Sequence, residues 1–326
     1  MNKLTGQKAT PSPSAVSVII PVRNCAETIS RSLESVLEQD FTDYEIIVVD
    51  DGSTDGTREV VEKFGERIRL FRQEGRGAAA ARNRAIGESR GRYLAFLDAD
   101  DTWLPGKLSL QYEYLEAHPT VGLVYSDLAT FDSGGELSSS YDSHHRKIHQ
   151  GMVFDKLFLK NFIGTITVMA RRECFDRAGL FPESFTHSSD WHQWLRIAMY
   201  YPVGYLDKPL ARYRWSASSL TSRMEAPYPS RIEVIKDMQR IFPEYFRRRR
   251  FLYRRALAGC LFRYGYANFH QGDEKAAALQ FLRALKNNPL LFKPYIYLLI
   301  ISFPPAIRAK LLKLKRILGL HFMPAE

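Results

Sequence analysis

A five-residue apolar run, Tyr93–Leu97, ends in Asp98-Ala99-Asp100-Asp101, three carboxylates within four residues. The run is too short for a stable helix and suits a strand buried on both faces. The following Thr102-Trp103-Leu104-Pro105 stops it. Residues two apart on a strand point to the same side, so Asp98 and Asp100 are expected to converge on one centre. Like charges packed together need something positive between them, and a hard divalent cation is the natural candidate. The plainer reading is an acidic turn that caps the next helix.

The pattern around this stretch is a regular alternation. Val16–Ile20 is a buried strand ended by Pro21, and Asn24–Gln39 has apolar residues at helical spacing (Ile29, Leu33, Val36, Leu37). Glu45–Val49 is a second strand, closing on Asp50-Asp51-Gly52. A helix over Thr57–Phe64, a strand over Ile68–Phe71, and an Ala-rich helix over Ala78–Glu88 after Gly75-Arg76-Gly77 complete the series. Strands alternating with helices predict a parallel sheet that binds ligands outside its carboxyl ends, where Pro21, Asp51 and Asp98 all fall. A carboxylate such as Asp51 at that edge can accept hydrogen bonds from a base imide or a ribose hydroxyl, and Gly77 lets backbone approach a diphosphate. Neither a Walker A sequence nor G-x-G-x-x-G is present, which argues against a P-loop NTPase or a dinucleotide fold. Further on, Gly122–Asp132 and Phe162–Arg171 read as strands. A helix begins at Ser188–Asp190, with Ser or Asp as its cap and Trp191, Trp194, Leu195 and Ala198 on one face.

Four collinear segments, VSVIIPVRN (16–24), EIIVVDDGSTDGT (45–57), GAAAARN (77–83) and GRYLAFLDADD (91–101), resemble family-2 glycosyltransferases of GT-A fold. The resemblance runs over about Ala15–Leu220. It implies inverting transfer of a sugar from a nucleotide diphosphate donor, usually a UDP-sugar, with Mg²⁺ or Mn²⁺. It further implies that Pro21, Val22, Arg23 and Glu27 line the nucleotide pocket and that Asp51 holds the uracil. Gly77 and Asn83 would belong to the donor-site loop and the segment after it, and Asp98 and Asp100 to the Asp-x-Asp motif, with Asp100 nearest the metal. Asp190 matches the family's catalytic base, which deprotonates the acceptor hydroxyl. Two positions depart from the pattern: Ser189 stands where a second acid is usual, and Ser216 where many relatives carry a histidine near the metal. His187 or water could serve there instead. Arg212 and Arg214 are either phosphate partners or solvated arginines. Ser133–Gln150, which contains His144, His145 and His149, reads as an acceptor loop rather than a metal site.

The remainder differs in charge. From Ala226 to Glu326 there are 19 Lys and Arg against 6 Asp and Glu, in a chain of net charge +10. Arg247–Arg250, Arg254 and Arg255 lie in a strongly helical segment. Residues 258–289 resemble one tetratricopeptide repeat, with Gly265, Gly272, Ala277, Phe281, Ala284 and Pro289 at that motif's spacing. Leu290–Phe303 is apolar but too short to span a bilayer. Ala306–Leu320 reads as a basic amphipathic helix suited to an interfacial membrane contact or to a soluble helical core. No nucleic-acid reader motif accompanies the charge, so no nucleic acid is expected. Three scattered cysteines argue against a disulfide framework or a structural zinc site and fit a reducing compartment.

The expectation is therefore a disordered leader (1–14), a GT-A, Rossmann-like α/β domain (15–225) and a smaller all-helical basic domain (226–326). Its partners would be a nucleotide-sugar donor and a glycan or lipid-linked acceptor of cell-surface polysaccharide synthesis, met in the cytoplasm or on the inner face of the membrane. The competing readings are a degenerate sugar-nucleotide-binding scaffold, favoured by Ser189 and Ser216, and a nucleotidyltransferase, for which a basic triphosphate loop is missing.

Overall fold

The structure, a computed structural model, describes residues 14–132, 134–138, 149–215, 227–304 and 307. The leader, most of the Ser133–Gln150 loop, Ser216 and the helix expected over Ala306–Leu320 lie outside the described residues, Ile307 apart. The described chain forms two units, one of residues up to Val153 with Ile163–Trp215, the other of Phe154–Phe162 with the residues from 216 onward.

The first unit opens with β1 (Val16–Val22), α1 (Ile29–Leu37), β2 (Tyr44–Asp50), α2 (Thr57–Glu62), β3 (Arg69–Arg72), α3 (Ala78–Glu88) and β4 (Tyr93–Phe96). These four strands pair in parallel in the order β3-β2-β1-β4, with Ile19 facing Ile47 on one side and Phe96 on the other. Every residue of β1 and β4 is buried, as strands covered on both faces require. α3 uses Ala79, Ala80, Ala81 and Ala85 on its buried face, so its backbone can approach the sheet closely. Beyond β4 follow β5 (Thr102–Trp103), α4 (Lys107–Ala117), β6 (Leu123–Asp132) and β7 (Gly135–Ser138). After α5 (Phe154–Leu159), which belongs to the other unit, come β8 (Met169–Arg171), α6 (Arg172–Ala178), α7 (Ser189–Tyr200) and β9 (Val203–Arg214).

The sheet is mixed rather than parallel throughout. β8 enters antiparallel between β4 and β6, β9 runs parallel to β6, and β5 pairs antiparallel with β9. The strand expected over Phe162–Arg171 shrinks to β8, because Thr165–Thr167 forms a 3-10 turn before it. The four residues of β4 end at Phe96, and Asp98–Asp101 form a turn closed by the Asp101 amide donating to the Asp98 carbonyl at 3.1 Å.

The second unit holds α5, α8 (Pro227–Ile241), α9 (Pro243–Arg248), α10 (Arg250–His270), α11 (Glu274–Asn287) and α12 (Phe292–Ser302). Phe154 and Phe158 of α5 pack their rings at a tilt against Phe246 of α9, at 6.0 and 4.8 Å between centroids. The tetratricopeptide-like hairpin is α10 with α11. Gly265 is needed there, since a Cβ would sit 2.8 Å from the Phe281 ring. Tyr297 of α12, fully buried, closes this core against Phe262, Phe269 and Phe281. No helix among the described residues is long and apolar enough to cross a membrane.

Candidate active site

Three turns at the carboxyl ends of β1, β2 and β4 make the site. Pro21 and Val22 are buried inside β1, and Val22 reaches its neighbour through its carbonyl, which accepts from the Asp51 amide at 2.8 Å. Asn24 adopts a left-handed φ of 51°, which asparagine tolerates because its side chain bonds locally. Its amide donates to Ser53 Oγ (3.0 Å) and its Oδ1 accepts from the Thr54 amide (2.8 Å), locking the first turn to the second. Arg23 and Glu27 are exposed, and the Arg23 guanidinium lies so close over Gly75 that a Cβ there would meet it at 3.0 Å.

Asp51 is 3% exposed and its carboxylate is heavily engaged. Oδ1 accepts from Gln73 Nε2 (2.7 Å) and the Arg76 amide (2.8 Å), and Oδ2 accepts from the Gly77 amide (2.8 Å). A carboxylate offers about four acceptor positions, so roughly one is left for a ligand. The same bonds shape the 73–77 loop, in which Gly77 takes φ 95° to open α3.

In the third turn the strand argument for Asp98 and Asp100 does not apply, because β4 has already ended; a turn, not a pleat, brings the carboxylates together. Asp98 Oδ1 is held by Arg82 Nη2 of α3 at 2.6 Å, a pair whose arginine is almost wholly buried. Burial, then the charge of Asp98, pushes the Asp100 carboxyl above the usual range, with Arg214 opposing. Asp101 is 1% exposed; its Oδ1 accepts from the Arg214 amide at 2.7 Å and its Oδ2 has no hydrogen-bond partner. Burial first, then Asp100 and Asp98, drives its carboxyl well above the usual range. Among the described residues no group of three or more His, Cys, Asp or Glu side chains is placed to hold a metal ion. The neighbouring carboxylates of Asp98 and Asp100 fit a hard divalent cation that takes one or two protein oxygens and completes its shell with ligand phosphates and water.

Asn83 turns away from this cluster. Its Nδ2 donates to the Phe181 carbonyl (2.8 Å) and to Glu183 Oε1 (3.0 Å), while its Oδ1 accepts from the Phe181 amide (2.9 Å). Arg76 Nη2 adds a 2.7 Å pair to Glu183. Asn83 thus clasps the loop of residues 181–183.

Asp190 lies in the first turn of α7, and Thr165 Oγ1 donates to its Oδ2 at 3.2 Å. Ser188, at φ 61°, opens that helix without a side-chain capping bond, so neither Ser nor Asp caps it as expected. One turn further on, Trp194 packs edge-on against Phe96 of β4 (5.6 Å) and Phe181 (5.5 Å). This aromatic cluster ties the start of α7 to the strand that carries the acidic turn. His187 contacts Thr186 Oγ1 at 3.2 Å, and Arg212 is exposed at the end of β9.

Several residues that build the site escaped the sequence reading: Gln73, Arg82 and a buried polar row made of Ser32 and Ser35 on α1 and Gln39 just after it. Ser32 Oγ donates to the Asp101 carbonyl (2.7 Å), Ser35 Oγ accepts from the Trp103 amide (3.1 Å), and Gln39 Nε2 donates to the Leu104 carbonyl (3.0 Å). Polar residues at i, i+3 and i+7 on an otherwise apolar helix face were the available signal.

The sequence model of the family described as Glycosyl transferase family 2 matches residues 17–178. The Escherichia coli UDP-Glc:alpha-D-GlcNAc-diphosphoundecaprenol beta-1,3-glucosyltransferase WfgD is 32% identical over 228 residues, 68% of this chain and 85% of its own length. An uncharacterized glycosyltransferase of Rickettsia felis is 35% identical over 208 residues, 63% of this chain; the match spans 34% of that longer protein. Among solved structures, S. aureus TarS 1-349 aligns with TM-score 0.56 and 20% identity over 83% of this chain and 79% of that one. The mannosyltransferase PcManGT from Pyrobaculum calidifontis, in complex with GDP-Man and Mn²⁺, aligns with TM-score 0.57 and 22% identity over 89% and 86%. At these identities the likeness is one of fold.

Proposed function

Because the chain belongs to glycosyl transferase family 2, we propose that it is an inverting glycosyltransferase. It takes a hexose or N-acetylhexosamine from a nucleotide diphosphate, UDP first, and passes it to a glycan or lipid-linked acceptor of cell-surface polysaccharide synthesis. The observation that carries this reading is the acidic turn after β4, where Asp100 and the buried Asp101 stand beside the Arg82-held Asp98.

In this reading the turns after β1 and β2 hold the nucleotide. Val22 and Arg23 border it, Glu27 stands at its open rim, and Asp51 meets the base with its one remaining acceptor position while its other three bonds keep the 73–77 loop in place. Asp98 and Asp100 would hold Mg²⁺ or Mn²⁺, which would supply Lewis-acid neutralisation of the departing diphosphate. Asp190 takes the proton from the acceptor hydroxyl as its oxygen attacks the anomeric carbon opposite the leaving group. Thr165 fixes the Asp190 carboxylate through Oδ2, leaving Oδ1 for the proton. Asn83 contributes indirectly, by holding the 181–183 loop under the aromatic cluster that seats α7.

The test is the Asp190→Asn variant with a panel of radiolabelled UDP-sugars and GlcNAc-diphospholipid acceptors. Asparagine still accepts from Thr165, so UDP affinity should be unchanged while transfer falls about 10²–10⁴-fold, the usual loss of a general base. Transfer at the wild-type rate would overturn the assignment. Failure of the wild type to bind any nucleoside diphosphate with Mn²⁺ would overturn the whole reading.

A further inference from the structure

The helical unit has an open cleft of about 410 Å³ at the junction of α8, α9 and α10. Four cations line it, Lys236, Arg240, Arg247 and Arg250, together with Gln239 and the ring of Phe246; no carboxylate does. Phe246 is 2% exposed, so the apolar floor is fixed by the core beneath it. Lys236, Arg240 and Arg247 each pair with an acid three residues earlier on their own helix, Glu233 (2.7 Å), Asp237 (3.0 Å) and Glu244. Arg250 has no acid partner among the described residues. Such solvent-exposed pairs are individually weak, and a guanidinium has five donors, so these side chains can turn to a stronger anion without a large loss.

Four cations, three of them held only by exposed pairs, gather around one concavity, and an anion with several acceptor oxygens can bridge them; a phosphate group matches that description. Exposed apolar residues next in sequence to these cations narrow the choice of source. Ile241, next in the chain to Arg240, is 41% exposed, and Phe251, next to Arg250, is 66% exposed. A free phosphate has no use for exposed aromatic and aliphatic side chains beside its cations. A lipid surface does, because apolar side chains enter the acyl boundary while lysine and arginine stay at headgroup level. The excess of 19 Lys and Arg over 6 Asp and Glu after Ala226 adds long-range attraction to an anionic surface. We propose that this cleft binds the phosphate headgroups of an anionic lipid surface and so docks the helical unit at the membrane–water interface.

The test uses the full chain and sedimentation with vesicles of phosphatidylglycerol in phosphatidylcholine, against phosphatidylcholine alone. Wild type should bind only the anionic vesicles and be released by salt. Each cation at such a surface is worth roughly fivefold in partitioning, so Arg240→Gln, Arg247→Gln and Arg250→Gln together should cost on the order of a hundredfold. Phe251→Ser should weaken vesicle binding while leaving its salt dependence as in wild type. Arg240 and Arg247 are 75% and 64% exposed, so circular dichroism and thermal unfolding should stay at wild-type values. Residues 305–326 remain in every variant; equal binding by the triple variant and wild type would overturn the proposal and move the contact to that segment. No binding to anionic vesicles, or binding of inorganic pyrophosphate without binding of vesicles, would overturn it as well. None of these readouts requires sugar transfer, so the proposal stands or falls apart from the catalytic reading.

Discussion

Replacing Asp51 by Asn probes the loop that the proposed donor site rests on. In the wild type one buried carboxylate accepts three hydrogen bonds, two at Oδ1 from Gln73 and Arg76 and one at Oδ2 from the Gly77 amide. An asparagine has one acceptor oxygen and one donor nitrogen. Its better orientation keeps the oxygen on the Gln73 and Arg76 side and sets its NH₂ against the Gly77 N–H, donor against donor. One charge-assisted bond is lost and one backbone donor is orphaned, a cost of about 1.5–3 kcal/mol. Local opening of residues 73–78 should then become roughly ten- to 150-fold more frequent. Amide hydrogen exchange followed by mass spectrometry reads this directly on a peptide spanning Gln73–Ala78, with a peptide from β1 as the internal control. Unchanged exchange in that peptide, with the protein folded, would refute the view that Asp51 organises the loop. Weakened UDP binding with no change in exchange would make the carboxylate a ligand contact alone.

Two further perturbations address the scaffold. Lys107 is fully buried, its Nζ bonded to Gln111 Oε1 and 4.6 Å from the Trp103 ring centre, and burial drives its amine well below the usual 10.5. Between the folded value and 10.5 the unfolded chain binds the extra proton, so this residue's contribution should rise with pH by up to about 1.4 kcal/mol per unit. Chemical denaturation at several pH values below 10.5 should show the wild type gaining stability relative to Lys107→Met as pH rises; a pH-independent difference would show that the amine is not perturbed. Gly91→Ala would place a Cβ 2.5 Å from the Ser17 backbone nitrogen, which cannot move aside as a side-chain tip could. That overpacking should cost about 1–3 kcal/mol in denaturant unfolding, and a variant as stable as wild type would contradict the packing described between Gly91 and β1.

The α/β architecture and the three site turns were legible because they rest on local chemistry. Apolar runs of strand length, an Ala-rich segment and acidic or glycine-rich breaks identify β1, β2, β4 and α3 whatever lies around them, and α3 spans the predicted Ala78–Glu88. The tetratricopeptide-like hairpin was legible for a similar reason, since Gly265 meets Phe281 at a fixed spacing. Partners far apart in the chain were not. Asn83 looks like a donor-site residue from its position after Gly77, but its amide is spent on Phe181 and Glu183, about a hundred residues away. Thr165 and Asp190 meet only because the chain returns through β8 and α7.

What the sequence alone determined is where strands stop and which side chains are delivered at their ends, because periodicity and turn chemistry act over a few residues. What only the tertiary structure decided is how many bonds each of those side chains has left to offer. Asp51 is nearly saturated, Asp98 is tied to Arg82, and Asp101 keeps one buried oxygen free. Folding also carried Phe154–Phe162 out of the sheet unit to pack on α9, and gathered Lys236, Arg240, Arg247 and Arg250 around one cleft. Burial and hydrogen-bond saturation depend on which distant segments arrive at a site, and no local pattern records that.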